Sequence, residues 1–261
     1  MATAVPPTPE PPTAASRPNN LVGLALLAAF LASGWGLAHG IAVGVLTFVF
    51  VMLGWALSVM AHEFSHAITA YVGGDHTVKD RGYLAFDPRR YGDVGVSLVL
   101  PLIFLALGGI GFPGGAVFIR ERLIRGPIWR AATALAGPAA TFVVLLVIAV
   151  VLQSWSRMGL PNALFAALAF LGYLQATALI LNLLPIPGLD GFGVIRPFLP
   201  DPDARWLRQA EGLAMVAFFL LVFMNPTAGA LLFGTGAKIA AAVGVPTDAV
   251  AEGFRNFRFW R

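Results

Sequence analysis

Cysteine is absent from this chain, and charge is scarce. Only 11% of its 261 residues are Asp, Glu, Lys or Arg, while 58% are hydrophobic. The missing cysteine excludes disulfides and thiolate ligands, so any metal must be held by His, Asp or Glu. A soluble domain carries roughly 25% charged residues. With a mean hydropathy of +0.79, the chain is therefore expected to be an all-α polytopic membrane protein, its length spent on spans of about 20 residues. The net charge of +4 does not point to nucleic acid, because the Lys and Arg residues fall between apolar runs rather than in one block. That distribution is a topology signal.

Against this background, His62-Glu63-Phe64-Ser65-His66 stands out inside the long apolar run Ile41 to Val72. In a helix, residues four apart leave one face, so His62 and His66 project together with Glu63 on an adjoining flank. Two neutral imidazoles fill two tetrahedral positions of a Zn²⁺, and a third protein ligand leaves the fourth open for water. Such a metal acidifies water and polarises a carbonyl, and a carboxylate such as Glu63 moves the protons. Ionisable groups cost at least about 2.5–3.5 kcal/mol each at a helix centre in a bilayer, so three within five positions need a reason. A bundle whose histidines only bond to each other or to carbonyls is the competing account.

Residues 1 to 20, rich in Pro, Ala and Thr, read as a disordered tail. The expected membrane domain is 21–245. Its spans are Leu21 to Ala38, about Ile41 to Tyr71, Ile128 to Leu152 and Ala163 to about Leu184, with two more between Gly212 and Val243, about six in all. His39 sits at the first turn and reads as interfacial. The loop Gly73 to Asp93 reads as solvated, with His76 and its aspartates outside any metal site. Val94 to Ile119 is broken by Pro101, Gly108, Gly109 and Gly111-Phe112-Pro113-Gly114-Gly115. It is expected to be a re-entrant hairpin or broken segment lining the site, since irregular backbone at membrane depth must be covered by protein or a water-filled cavity. Residues 246–261 form a basic, aromatic tail suited to a cytoplasmic membrane surface.

The span from Ala163 ends in Asn182-Leu183-Leu184-Pro185-Ile186-Pro187-Gly188-Leu189-Asp190-Gly191. Prolines and glycines unwind it, making Asp190 the candidate third ligand, although Asp-Gly pairs also mark ordinary turns. Antiparallel spans put Asp190 on the face of Arg120, Arg122, Arg125 and Arg130. If Val94 to Ile119 enters and returns, His66 shares that face. Eleven basic residues then fall on the ligand side and only Arg157 opposite, so the site opens toward the cytoplasm of a plasma (inner) membrane.

Taken together, His62-Glu63-Phe64-Ser65-His66, the small-residue Gly137-Pro138 helix and the run Asn182 to Gly191 resemble the site-2 protease family of intramembrane zinc metalloproteases. The resemblance covers roughly residues 41 to 196. It implies one zinc per chain on His62, His66 and Asp190, with Glu63 as general base and Asn182 polarising the scissile carbonyl or orienting the substrate strand. For Asn182, a helix-end amide satisfying freed carbonyls is an equal reading. The implied substrate is the transmembrane segment of a membrane protein. The intervals between the motifs are too short for the PDZ domain of many relatives, so the chain resembles the compact branch. Substrate selection then falls to membrane-embedded or terminal elements, or to a regulatory membrane partner. The alternative function is metal transport or metal binding without peptidase activity, which would spread ligands along a path across the bilayer.

Overall fold

The computed structural model describes residues 20–90, 117–158, 162–201 and 205–261, with 102, 103 and 105 between them. Helix α1 (Leu21–Ala38) leads through a short turn to the long α2 (Val43–Gly73), then the single turn α3 (Thr77–Asp80). Next come α4 (Gly126–Arg157), α5 (Ala163–Leu183), the short α6 (Asp190–Ile195), α7 (Arg205–Met224), α8 (Pro226–Ala242) and α9 (Thr247–Phe257). No strand occurs among the described residues. The protein is an all-α polytopic membrane protein.

Four helices, α1, α2, α4 and α5, are each long and apolar enough to cross a membrane. The expected last two spans are both helices, but they meet at 93° around Asn225 and Pro226, a broken span or re-entrant loop. Asn225 caps α8 by accepting from the N–H groups of Thr227 and Ala228, so the chain restarts rather than continuing. The described residues thus hold four or five candidate spans. The N-terminal tail and most of Val94 to Ile119 lie outside the described residues.

Helix α5 is the axis of the bundle. It packs against α1, α2, α4, α8 and α9, and most of its apolar stretch is buried. By contrast α1 exposes Leu24, Leu31 and Trp35, and α4 exposes Val143, Val147 and Val150, as lipid-facing helices do. Because lipid is as apolar as leucine, the packing of the interior rests on close contact more than on water exclusion.

Two regions differ from the reading of the sequence. Asp75 and Asp87 are buried rather than solvated. Asp75 accepts from Thr77 N–H at 3.1 Å, Thr77 hydroxyl at 2.6 Å and Arg120 N–H at 2.7 Å, tying the end of α2 to the segment that follows the undescribed residues. Asp87 takes both Nε and Nη2 of Arg89, and these hydrogen bonds hold its carboxyl below the ordinary carboxylate range. Buried charge is tolerated when donors surround it. The segment 246–261, read as a tail, contains α9, whose Ala249, Gly253 and Phe257 are buried. The Phe257 ring lies 5.2 Å from Phe48 and 5.4 Å from Phe170. Arg125 also acts locally, donating to the carbonyls of Val72 and Gly73. It thereby satisfies the end of α2, where a cation suits the helix dipole.

Asp75→Ala strands three donors and should lower stability by about 1–3 kcal/mol, read as a lower thermal midpoint in detergent; an unchanged midpoint would contradict the tether. The depressed Asp87 carboxyl contributes stability that is present above the ordinary carboxylate range and lost as pH falls through its folded value. Asp87→Asn should therefore flatten the acid limb of the stability curve, and identical acid limbs would refute this contribution.

Candidate metal centre

Helix α2 carries the motif in its final third, with His62, Glu63 and His66 all buried. His62 Nε2 and His66 Nε2 lie 3.0 Å apart. Asp190 at the start of α6 brings Oδ2 to 3.1 Å from His62 Nε2 and Oδ1 to 3.3 Å from His66 Nε2. The turn before it, from Pro185 to Leu189, folds the chain back onto the end of α5. Gly191 lets this happen, because a Cβ there would collide with the backbone of Leu183 and Leu184.

The outward nitrogens of both rings are occupied. His66 Nδ1 is 2.7 Å from the Thr133 carbonyl, which only accepts, so Nδ1 carries the proton and Nε2 presents its lone pair. His62 Nδ1 is 2.9 Å from Thr141 Oγ1. Both rings are thus oriented from behind, as metal-binding histidines are. Two imidazole lone pairs and a carboxylate converging on one point have too few protons to satisfy one another. A cation fits that set. Ligand atoms on a tetrahedral Zn²⁺ with bonds near 2.0 Å lie roughly 3.3 Å apart, close to the separations here. Among the described residues, His62, His66 and Asp190 are the group of His and carboxylate side chains able to hold a metal; His39 and His76 stand apart, the first bonded to the Trp35 carbonyl and the second against the Tyr71 ring.

Beside this centre opens a groove of about 410 Å³ lined by Glu63, His66, Val117, Phe118, Asp190 and Arg196, among others. Glu63 Oε2 accepts from Val117 N–H at 3.1 Å. Val117 to Ile119 are the described end of the segment expected to line the site. Asn182 is buried and lies with His62 and Thr141 on a separate small cavity rather than on this groove.

No protein-family model matches the chain, nor does any solved structure. Among curated proteins, Rip2 of Mycobacterium tuberculosis, assigned as a zinc metalloprotease, is 43% identical over 216 residues, 82% of this chain and 81% of the relative. Rip2 of Mycolicibacterium smegmatis is 40% identical over the same shares. The chain belongs to the site-2 protease family of zinc metalloproteases. YwhC of Bacillus subtilis, likewise assigned, is 27% identical over 68% of this chain and 81% of its own length.

In this site-2 protease the sequence reading missed the face of α4. Thr133, Gly137 and Thr141 are spaced by four and so share one side of the helix. Thr133 and Thr141 orient the two histidines, and Gly137 leaves room for them: a Cβ there would meet Nε2 of both His62 and His66. The four-residue spacing was the available signal. Gly137→Ala is expected to weaken metal retention by tenfold or more while the helical circular dichroism stays intact; wild-type metal affinity in the variant would remove Gly137 from the site's construction.

Proposed function

We propose that this protein is an intramembrane endopeptidase that hydrolyses a peptide bond within a membrane-spanning segment of another protein, as a step of regulated intramembrane proteolysis. The observation that carries the reading is the convergence of His62, His66 and Asp190 beside a carboxylate, Glu63, on a groove bordered by irregular backbone at residues 117–119. The domain responsible is 21–245, with its core at 41–196. The site faces the cytoplasmic side of the plasma membrane, a topology supported by the basic residues that gather on the ligand face.

One zinc per chain is held by His62, His66 and Asp190. When bound, zinc supplies the Lewis acidity that lowers the pKa of water and polarises a carbonyl. Glu63 takes the proton of the attacking water as its oxygen bonds to the scissile carbonyl carbon. The same carboxyl then gives that proton to the leaving amine as the C–N bond breaks. The second reading of Asn182, a helix-end amide, fits its place on the separate cavity beside His62 rather than on the groove. The substrate helix has to unwind first, because a hydrogen-bonded helix hides its carbonyls. Residues 117–119 run as irregular backbone along the edge of the groove, where an extended substrate can pair with them.

Wild type and Glu63→Gln, purified in detergent and incubated with single-span membrane peptides, test the base. Both should carry zinc, and only wild type should cleave. A fully active Glu63→Gln would overturn the assignment. Asp190→Ala should lower zinc affinity at least tenfold, and unchanged zinc content would take Asp190 out of the ligand set.

A further inference from the structure

A second cavity lies deeper in the bundle than the groove. It is bounded by Trp55, Ser58 and His62 of α2, Thr141 of α4, and Gln175 and Asn182 of α5, and it encloses about 20 Å³. Trp55 and Gln175 are among the most deeply buried residues of the chain, at 2% and 1% exposure. Their side-chain donors, Trp55 Nε1 and Gln175 Nε2, have no hydrogen-bond partner among the described residues. Buried indole and amide N–H groups nearly always find one. Two unpaired donors on one small cavity in an otherwise apolar helix core therefore identify a ligand that accepts hydrogen bonds and is very small.

The acceptors and donors around the cavity narrow that ligand further. Ser58 gives its hydroxyl proton to the Gly54 carbonyl at 2.8 Å, leaving its oxygen free to accept. Thr133 and Thr177 return their hydroxyl protons to carbonyls four residues back, whereas the Thr141 oxygen lies at 2.9 Å from His62 Nδ1. With His62 Nε2 turned to the metal centre, Nδ1 donates to Thr141, whose own proton is left for a further acceptor. The cavity thus offers donors from Trp55, Gln175 and Thr141, and acceptors from Ser58 and the Asn182 amide. A buried water needs about 10–15 Å³ and two to four polar partners, and this cavity meets both requirements.

We propose that this cavity is a water-binding site, occupied by one or two resident waters that join Trp55 and Gln175 to Thr141 and so hold the His62 ring in its metal-binding orientation. Trp55 and Gln175 are positioning residues, acting through water and Thr141 on a side chain they do not touch. The second half of the proposal rests on His62 being a metal ligand; the water site itself does not.

The full chain in detergent micelles, labelled with ¹⁵N at its tryptophan indoles, provides the test. The sequence has six tryptophans, and Trp55→Phe identifies the relevant signal. In metal-free protein the Trp55 indole N–H should show a direct cross-peak to water despite its burial, and Gln175→Leu should reduce that cross-peak by at least half. A dry Trp55 indole in wild type overturns the water site, and that reading stands even if the variant fails to fold. Where the variant folds, a competition titration should show zinc affinity lowered about 10-fold or more, the range for groups that orient a ligand from behind. Wild-type zinc affinity in a folded Gln175→Leu would overturn the link to His62. A hydrated Trp55 in a protein that cleaves none of the peptides would count against the protease reading alone.

Discussion

Everything in this protein depends on keeping four ionisable side chains, His62, Glu63, His66 and Asp190, together inside a largely apolar helix bundle. In such surroundings an unpartnered charge is very costly. Each outward-facing atom is accordingly matched: His66 by a carbonyl of α4, His62 by a hydroxyl of the same helix, Glu63 by a backbone N–H. What these contacts leave over is one point of converging lone pairs and negative charge, and a divalent cation is the group that completes it. A cation there would link α2 to α6, whose His62 and Asp190 are 128 positions apart.

This requirement shapes the helices around the site. Helix α4 has no room for side chains where it crosses the motif, so Gly137 faces the imidazoles while Thr133 and Thr141, one turn to either side, orient them. Helix α5 must end early and turn back so that Asp190 reaches inward, which the prolines and glycines of 185–191 accomplish. The surface of the bundle is left to lipid contact, where apolar side chains such as Leu31 and Val147 are exposed. Function is thus concentrated where small and polar residues interrupt the apolar runs.

The same contrast explains how much was legible in the sequence. Spans were legible because a bilayer imposes length: Leu21–Ala38 and Ala163–Leu183 fall almost where the apolar runs placed them. The pairing of the histidine motif with Asp190 was legible because ionisable residues within or beside apolar spans are costly unless they serve a site. The burial of Asp75 and Asp87 was not, since it depends on donors from Arg120 and Arg89 that no local pattern announces. Helix α9 was obscured by the basic and aromatic run from Arg255 to Arg261 that begins at its end: its buried face is three residues, Ala249, Gly253 and Phe257, and the partner surface on α5 is remote in sequence. The right angle between α7 and α8 likewise follows from a cap at Asn225 that hydropathy does not register. Gln175 lies in the middle of apolar α5 with no motif around it, and only the cavity beside it gives the amide a meaning.

The most direct test of the central claim is zinc X-ray absorption on the purified wild-type protein, combined with metal content per chain. The account predicts one zinc per chain in a four-coordinate nitrogen and oxygen shell containing two imidazoles, with one imidazole lost in His66→Ala. A chain that retains no zinc, or a zinc shell whose two imidazoles persist in His66→Ala, would contradict it.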